Sequence, residues 1–214
     1  MILAAGRGQR LSPLTDTCPK PLIKVRGKAL IEYHLEALRA IGIKQVVINI
    51  SYLKDHLQKA LGNGKKWDLQ IDYSIEDPVL ETGGGILKAL PLLGTDPFIV
   101  MSSDIWTDFP LEQFKNKIMI EDHLAHVILV NNPEHNQAGD FGLQENRAVN
   151  TKEYTYGNMG LYKPELFKNC TPGVFPLAPL LRSAISKGLV TGEHYLGIWS
   201  DIGTVERLKQ VEAE

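Results

Sequence analysis

The chain has 214 residues, 43% hydrophobic and 22% charged, with a formal net charge of −2, which suits one well-buried α/β domain with room for a small subdomain. That charge offers no general attraction to nucleic acid or an anionic membrane, and no run approaches the ~18 apolar residues needed to cross a bilayer. Two cysteines, Cys18 and Cys170, cannot make a disulfide framework, and Met1–Ala5 lacks the basic start and the length of a signal peptide, so a cytoplasmic protein is expected.

In chain order, Met1–Ala4 reads as a short apolar strand that gives way to a loop in which Gly6 and Gly8 alternate with Arg7 and Arg10. Glycine lets the backbone approach phosphate oxygens with its N–H groups pointing inward, and each guanidinium offers forked donors. Leu3, Ala4, Ala5, Gly6, Arg7, Gly8, Gln9 and Arg10 are therefore the candidate nucleotide-binding segment, with an ordinary turn as the competing reading. The spacing is neither the dinucleotide Gly-x-Gly-x-x-Gly, since Arg10 and Leu11 follow, nor a Walker loop, since no Gly-Lys-Ser/Thr follows. Farther on, Pro19 and Pro21 restrict the backbone on both sides of Lys20 and aim its charge.

Ala29–Ile41 places Leu30, Ile31, His34, Leu35, Leu38 and Ile41 at helical spacing, with Gly42 as a stop. Gln45–Ile50 is a strand covered on both faces, Lys54–Leu61 a short helix, Leu69–Ile75 an alternating strand, Gly84–Leu93 a helix and Phe98–Met101 a buried strand. Strand and helix alternate, so the first half is expected to be a Rossmann-like, doubly wound, mostly parallel sheet within a mixed α/β fold. Ligands of such sheets bind beyond the carboxyl ends of the strands, where the opening loop and Asp104 both fall. The second half is less regular: strands at Leu124–Val130, Phe141–Gln144 and Tyr154–Tyr162, the last two pairing antiparallel, then a helix at Pro176–Lys187, a strand at Leu189–Leu196 and a closing helix at Val205–Val211.

Asp104 follows a buried strand, and Asp201 lies in Trp199-Ser-Asp-Ile-Gly-Thr, read as a tight turn opening a helix. Taken alone, each aspartate reads as a turn former or N-cap. Glu81, Thr82, Gly83 and Gly84, with Gly85, read as a glycine run before a helix at Ile86, able to meet a flat base ring, or as a flexible turn capped by Thr82. Asp140 and Glu153 are candidate contacts to sugar hydroxyls, with solvated loop carboxylates as the rival reading, and Asn158 is first a turn residue. The six histidines show no metal-ligand spacing.

Leu3 to Thr15 together with Pro19-Lys-Pro-Leu22 resembles the signature Leu-Ala-Ala-Gly-x-Gly-x-Arg-Leu-x-Pro-Leu-Thr and Pro-Lys-Pro-Leu of the sugar-1-phosphate nucleotidyltransferases. The resemblance implies a single nucleotidyltransferase domain over 1-214, with a nucleotide-binding half to about residue 110 and a sugar-phosphate-binding half beyond it. It implies that Arg10, Lys20 and Asp104 are catalytic and that Asp104 and Asp201 hold one Mg²⁺; Ser102, whose hydroxyl can bond a sugar, is a further candidate beside Asp140, Glu153 and Asn158 at the sugar phosphate. Leu80 to Gly94, Asp104 to Phe109 and Gly139-Asp-Phe are similar to the family's uridylyltransferases of bacterial cell-wall recycling, which implies UTP and N-acetylmuramate 1-phosphate as substrates. Ser102-Ser103 stands where relatives commonly carry Asn-Gly, and Tyr156-Gly-Asn-Met-Gly where they carry a Ser-Gly-Ile-like segment. Another hexose 1-phosphate, dTTP, or a non-catalytic sugar-nucleotide-binding regulatory module are the alternatives, and monomer and homo-oligomer both stay open.

Overall fold

The computed structural model describes residues 1–116 and 123–213. In chain order its elements are β1 (Ile2–Leu3), α1 (Leu14–Thr17), β2 (Lys24–Val25), β3 (Lys28–Ala29), α2 (Leu30–Ala40), β4 (Gln45–Ile50), α3 (Lys54–Leu61), β5 (Gln70–Ile75), α4 (Glu81–Leu93) and β6 (Phe98–Ser102). There follow β7 (Ile105–Thr107), α5 (Glu112–Asn116), β8 (Ala125–Val130), β9 (Phe141–Gln144), β10 (Arg147–Tyr162), α6 (Leu177–Ile185), β11 (Val190–Tyr195), β12 (Trp199–Asp201) and α7 (Val205–Ala213). The described residues divide into two compact units, neither continuous in sequence. The first comprises Met1–Val79, Ser102–Glu112 and the chain from Ile198, and the second Leu80–Met101 and Gln113–Gly197. No helix among the described residues is long and apolar enough to cross a membrane.

In the first unit β4 pairs in parallel with β1 on one side, Ile2 opposite Ile48, and with β5 on the other, Gln45 opposite Gln70. Helix α2 buries Leu30, Ile31, His34, Leu35 and Leu38, the stripe its spacing predicts. Its Glu32 reaches back to accept the Ala29 N–H at 3.2 Å, and Gly42, at φ 87°, ends it. A core of Leu11, Ile23, Val25, Leu30, Ile202, Leu208 and Val211, flanked by Trp106 and Val205, ties the opening loop to the residue after β12 and to α7. Burying a leucine such as Leu11, which is fully enclosed, is worth about 1.5–3 kcal/mol, so the loop is anchored at its far end by packing.

The second unit is organised on β10, which pairs antiparallel with β6, β8 and β9, while β8 and β11 run parallel. The pairing of β10 with β8 is irregular between Tyr156 and Gly160, where Asn158 takes φ 55°.

The expected strands Gln45–Ile50 and Phe141–Gln144 and the helix Lys54–Leu61 have the bounds read from the sequence. Three expectations need correction. Helix α4 begins at Glu81, so the glycine run lies inside its first turns. A Cβ on Gly84 would stand 2.2 Å from the Gly173 carbonyl oxygen, and one on Gly83 2.5 Å from the Phe175 ring; the glycines answer a backbone crossing, a tertiary demand that outweighs their poor helix propensity. The strand expected from Tyr154 begins at Arg147, because residues 147–149 return along β9 although the exposed stretch 150–153 carries no alternating pattern. Asp201 closes a strand, β12, that pairs antiparallel with β7; three residues with half-buried side chains are too short a run to show periodicity.

Replacing Gly84 by Ala improves helix propensity by about 1 kcal/mol but forces an overlap whose typical cost is about 1–3 kcal/mol. With the nearest atom a backbone oxygen, overlap should prevail, and Gly84→Ala should lower the urea midpoint of the protein; an unchanged or raised midpoint would show that the 173–175 segment yields.

Candidate active site

The opening loop is held by contacts that follow from its glycine and threonine. Gly8, at φ 67°, lies under the stem of Lys20: an added Cβ would sit 3.1 Å from Lys20 Cβ and 3.1 Å from Thr15 Cγ2. The Gly8 carbonyl accepts from Thr15 Oγ1 and from the Leu11 N–H, both at 2.9 Å. Ala4 and Ala5 are buried, while Gly6, Arg7, Gln9 and Arg10 face solvent, which leaves the polar half of the loop open to an anion. Arg7 rests over the Tyr52 ring at 5.0 Å, and Tyr52 in turn donates to the Asp16 carbonyl at 3.0 Å. An exposed cation–π contact is worth only about 0.5–1 kcal/mol, so a phosphate can draw Arg7 away.

Lys20 sits in a short turn between its two prolines, where the Lys20 carbonyl accepts the Ile23 N–H at 3.1 Å. Its Nζ forms an ion pair with the Asp104 carboxylate, both side chains being largely shielded from water. Ser102 Oγ donates to the other Asp104 oxygen at 2.6 Å. Burial alone would raise the Asp104 pKa; the Lys20 charge and hydrogen bond and the Ser102 hydroxyl outweigh it and hold the carboxyl below the ordinary range. His34, enclosed in α2, feels the opposite balance: burial pushes it down to about 4 against the pull of Asp104, so it stands neutral at physiological pH.

The β7–β12 pair brings the second aspartate to the first. Asp201 is opposite Ile105, and the Ile202 N–H donates to the Asp104 carbonyl at 2.8 Å. Asp201 forms an ion pair with Arg207 of α7. Gly203 lies between guanidinium groups: a Cβ there would meet Arg207 Nη2 at 2.2 Å and Arg10 Nη2 at 3.3 Å. Arg10, Lys20, Ser102, Asp104 and Asp201, far apart in sequence, are therefore assembled in the first unit. Arg207 was not singled out from the sequence; its place six residues after Asp201, in the first turn of α7, is the only signal of it there.

Among the described residues no group of three or more His, Cys, Asp or Glu side chains is placed to hold a metal ion. Two carboxylates on adjoining backbone fit a hard divalent cation that takes its remaining oxygens from water and a substrate phosphate.

In the second unit Glu81 is exposed and adopts φ 59° at the start of α4, a backbone state uncommon outside glycine, and Thr82 is half-buried beside it. The N–H of Gly84 is taken by the Phe175 carbonyl at 3.0 Å. Asp140 Oδ2 accepts the Tyr156 N–H at 2.9 Å and Asn136 Nδ2 at 3.1 Å, which fixes the start of the irregular segment bearing Asn158. Glu153 is exposed and accepts from Thr151 Oγ1 at 2.9 Å.

A glycine-and-arginine loop, an aimed lysine and two apposed aspartates thus lie together in the first unit. The chain belongs to the nucleotidyl transferase family, whose model matches residues 1–214, and it is a transferase. It is 44% identical over 222 residues to the N-acetylmuramate alpha-1-phosphate uridylyltransferase of Neisseria meningitidis serogroup B, covering all of this chain and 96% of that one. It is 31% identical over 229 residues to the enzyme of the same description from Caulobacter vibrioides, covering 100% and 95%. Among solved structures, a UDP-glucose pyrophosphorylase complexed with UDP-glucose matches with TM-score 0.79 at 19% identity over 99% of this chain and 96% of that one. A Bacillus anthracis protein in complex with sucrose matches with TM-score 0.86 at 22% identity, over 99% and 92%. At such identities the likeness shows a shared fold, the α/β fold of sugar-1-phosphate nucleotidyltransferases.

The Lys20–Asp104 pair carries a signed pH dependence. With its folded pKa lowered, Asp104 contributes stability above the ordinary carboxylate value near 3.8, and that contribution is lost as pH falls through the folded value. In Lys20→Met burial is opposed only by the Ser102 hydroxyl and a backbone hydrogen bond, and Asp104 becomes a cost at neutral pH that protonation relieves. The gap in urea midpoint between wild type and Lys20→Met should be widest near pH 7 and narrow towards pH 4; a gap independent of pH would separate the lysine's packing from its charge.

Proposed function

We propose that this protein transfers UMP from UTP to N-acetylmuramic acid α-1-phosphate, giving UDP-N-acetylmuramic acid and pyrophosphate, in the cytoplasm, with Mg²⁺ as cofactor. The observation that carries the reading is the assembly of Arg10, Lys20, Asp104 and Asp201 on one unit. The full-length likeness to two uridylyltransferases of this specificity supports the choice of substrates.

In the reaction an oxygen of the acceptor phosphate forms a bond to the α-phosphorus of UTP while the bond to the bridging oxygen of pyrophosphate breaks, and the electron pair leaves with pyrophosphate. The attacking oxygen is already anionic, so neither a base nor a covalent intermediate is called for. What the chain supplies is alignment, worth roughly 7–11 kcal/mol when reactants are held near attack geometry, and charge placed in advance. The backbone of Leu3–Arg10 and the guanidinium groups of Arg7 and Arg10 take the triphosphate. Lys20 spends one of its three N–H donors on Asp104, which leaves the other two for oxygens of the transferred phosphoryl group. Asp104 and Asp201 would hold the Mg²⁺, which when bound neutralises phosphate charge. In the second unit Glu81, Thr82, Gly83 and Gly84 are assigned to the uracil. Ser102, Asp140, Glu153 and Asn158 are assigned to the acceptor. Two hydrogen bonds to Asp140 Oδ2 also brace the Tyr156–Gly160 segment.

Pyrophosphate release measured with four nucleoside triphosphates crossed against several sugar 1-phosphates should be fastest for UTP with N-acetylmuramate 1-phosphate, should stop with EDTA, and should return with excess Mg²⁺. Lys20→Ala should lower kcat by about a hundredfold or more, the scale of losing one preorganised donor to a developing anion, while the Kd for UTP changes far less. Folded wild-type protein that released no pyrophosphate from any pair would remove the reading.

A further inference from the structure

Strand β4 runs Gln45-Val-Val-Ile-Asn-Ile, and residues 46–50 are all buried. Asn49 is the one polar side chain among those five, 3% exposed, at the carboxyl end of a strand whose neighbours are aliphatic. An unpartnered buried amide costs about 1–3 kcal/mol, so a branched aliphatic residue would serve the core better. Asn49 is instead partnered at both polar atoms: its Oδ1 accepts the Ala4 N–H at 2.9 Å and its Nδ2 donates to Glu76 Oε1 at 2.7 Å. Glu76, 2% exposed, follows β5 directly.

The direction of these bonds is set by their ends. A backbone N–H only donates, so the Asn49 oxygen faces Ala4, its nitrogen faces Glu76, and the carboxylate accepts. Leu3 is the last residue of β1 in register with β4, opposite Asn49 itself, so the side chain takes the first amide beyond the ladder. The carbonyl of that same peptide unit, Leu3 O, accepts the Ser103 N–H at 2.9 Å. The Leu3–Ala4 peptide is thereby clamped at both ends, on one side by Asn49 and on the other by the residue before Asp104. From this peptide the backbone departs for Gly6 and Gly8.

We propose that Asn49, held by Glu76, is a positioning residue for the nucleoside triphosphate: it sets the plane of the Leu3–Ala4 peptide and with it the direction in which the loop's N–H groups point. The proposal rests on the reading that this loop binds the triphosphate. It makes nucleotide affinity, and not acceptor affinity, depend on a residue that touches neither.

The test is a swap that conserves shape. Asn49→Asp keeps an acceptor for Ala4 but turns an oxygen towards the Glu76 carboxylate; adding Glu76→Gln returns a donor to that gap. The variants are compared by KM for UTP, KM for N-acetylmuramate 1-phosphate, the Kd for UTP from calorimetry without acceptor, and melting temperature. Asn49→Asp should raise the KM and Kd for UTP by about tenfold, or about 1.4 kcal/mol, with the acceptor KM within about twofold of wild type. The double variant should recover most of the loss. An unmoved UTP affinity in folded Asn49→Asp, a parallel rise in both KM values, or no recovery in the double variant would each overturn the proposal. Absence of wild-type turnover with every triphosphate would instead overturn the functional reading.

Discussion

A carboxylate drawn part-way out of water needs a cation at hydrogen-bond range, and in this protein that need joins segments from the two ends and the middle of the chain. Lys20 answers Asp104, and Arg207 answers Asp201. The short β7–β12 ribbon sets the two aspartates on adjoining backbone, so the pairs form one charged cluster with Arg10 lying over Gly203. Opposing charges are balanced before any substrate arrives. In the proposed reaction, charge placed in advance is what two polyanionic reactants would meet.

The cluster is precise because apolar packing fixes its supports. Leu11, immediately after Arg10, and Ile202, immediately after Asp201, bury themselves in the same core with Ile23, which follows the Lys20 turn. Each charged residue is thus within three positions of a buried anchor. Trp106, two residues past Asp104, packs edge-on against Tyr33 and carries Arg26 over its face, which steadies the ribbon from its other side. Charged side chains on such short elements would otherwise wander through many rotamers.

In the second unit, polar residues are largely spent on shape. Asp140 braces the irregular stretch of β10, and Arg182 donates to the Asp140 carbonyl at 2.9 Å while lying over the Phe141 ring. Half-buried Tyr156 and buried Tyr162 join their hydroxyls, and desolvation raises both phenols, so neither ionises near neutrality. The departure Tyr156-Gly-Asn-Met-Gly is therefore part of a packed irregularity in the sheet, with Met159 and Gly160 buried along it.

The amino-acid sequence by itself determined the class of fold, elements such as α2, α3, β4 and β9, and the family. Hydrophobic periodicity survives wherever an element is long enough to bury a full face, as in α2, and the break after β1 shows in Gly8, which takes φ 67°. Only the tertiary structure decided where α4 begins, that Asp201 ends a strand, and that Arg207 and Asn49 belong with the site. Each of these turns on a contact between residues distant in sequence: Gly84 under the Gly173 carbonyl, Asp201 beside Ile105, Asn49 on the Ala4 amide. A local pattern records what a residue does to its neighbours in the chain. It carries no record of a partner that folding brings from forty or a hundred positions away, and a three-residue strand or a single buried amide is too short to leave a period.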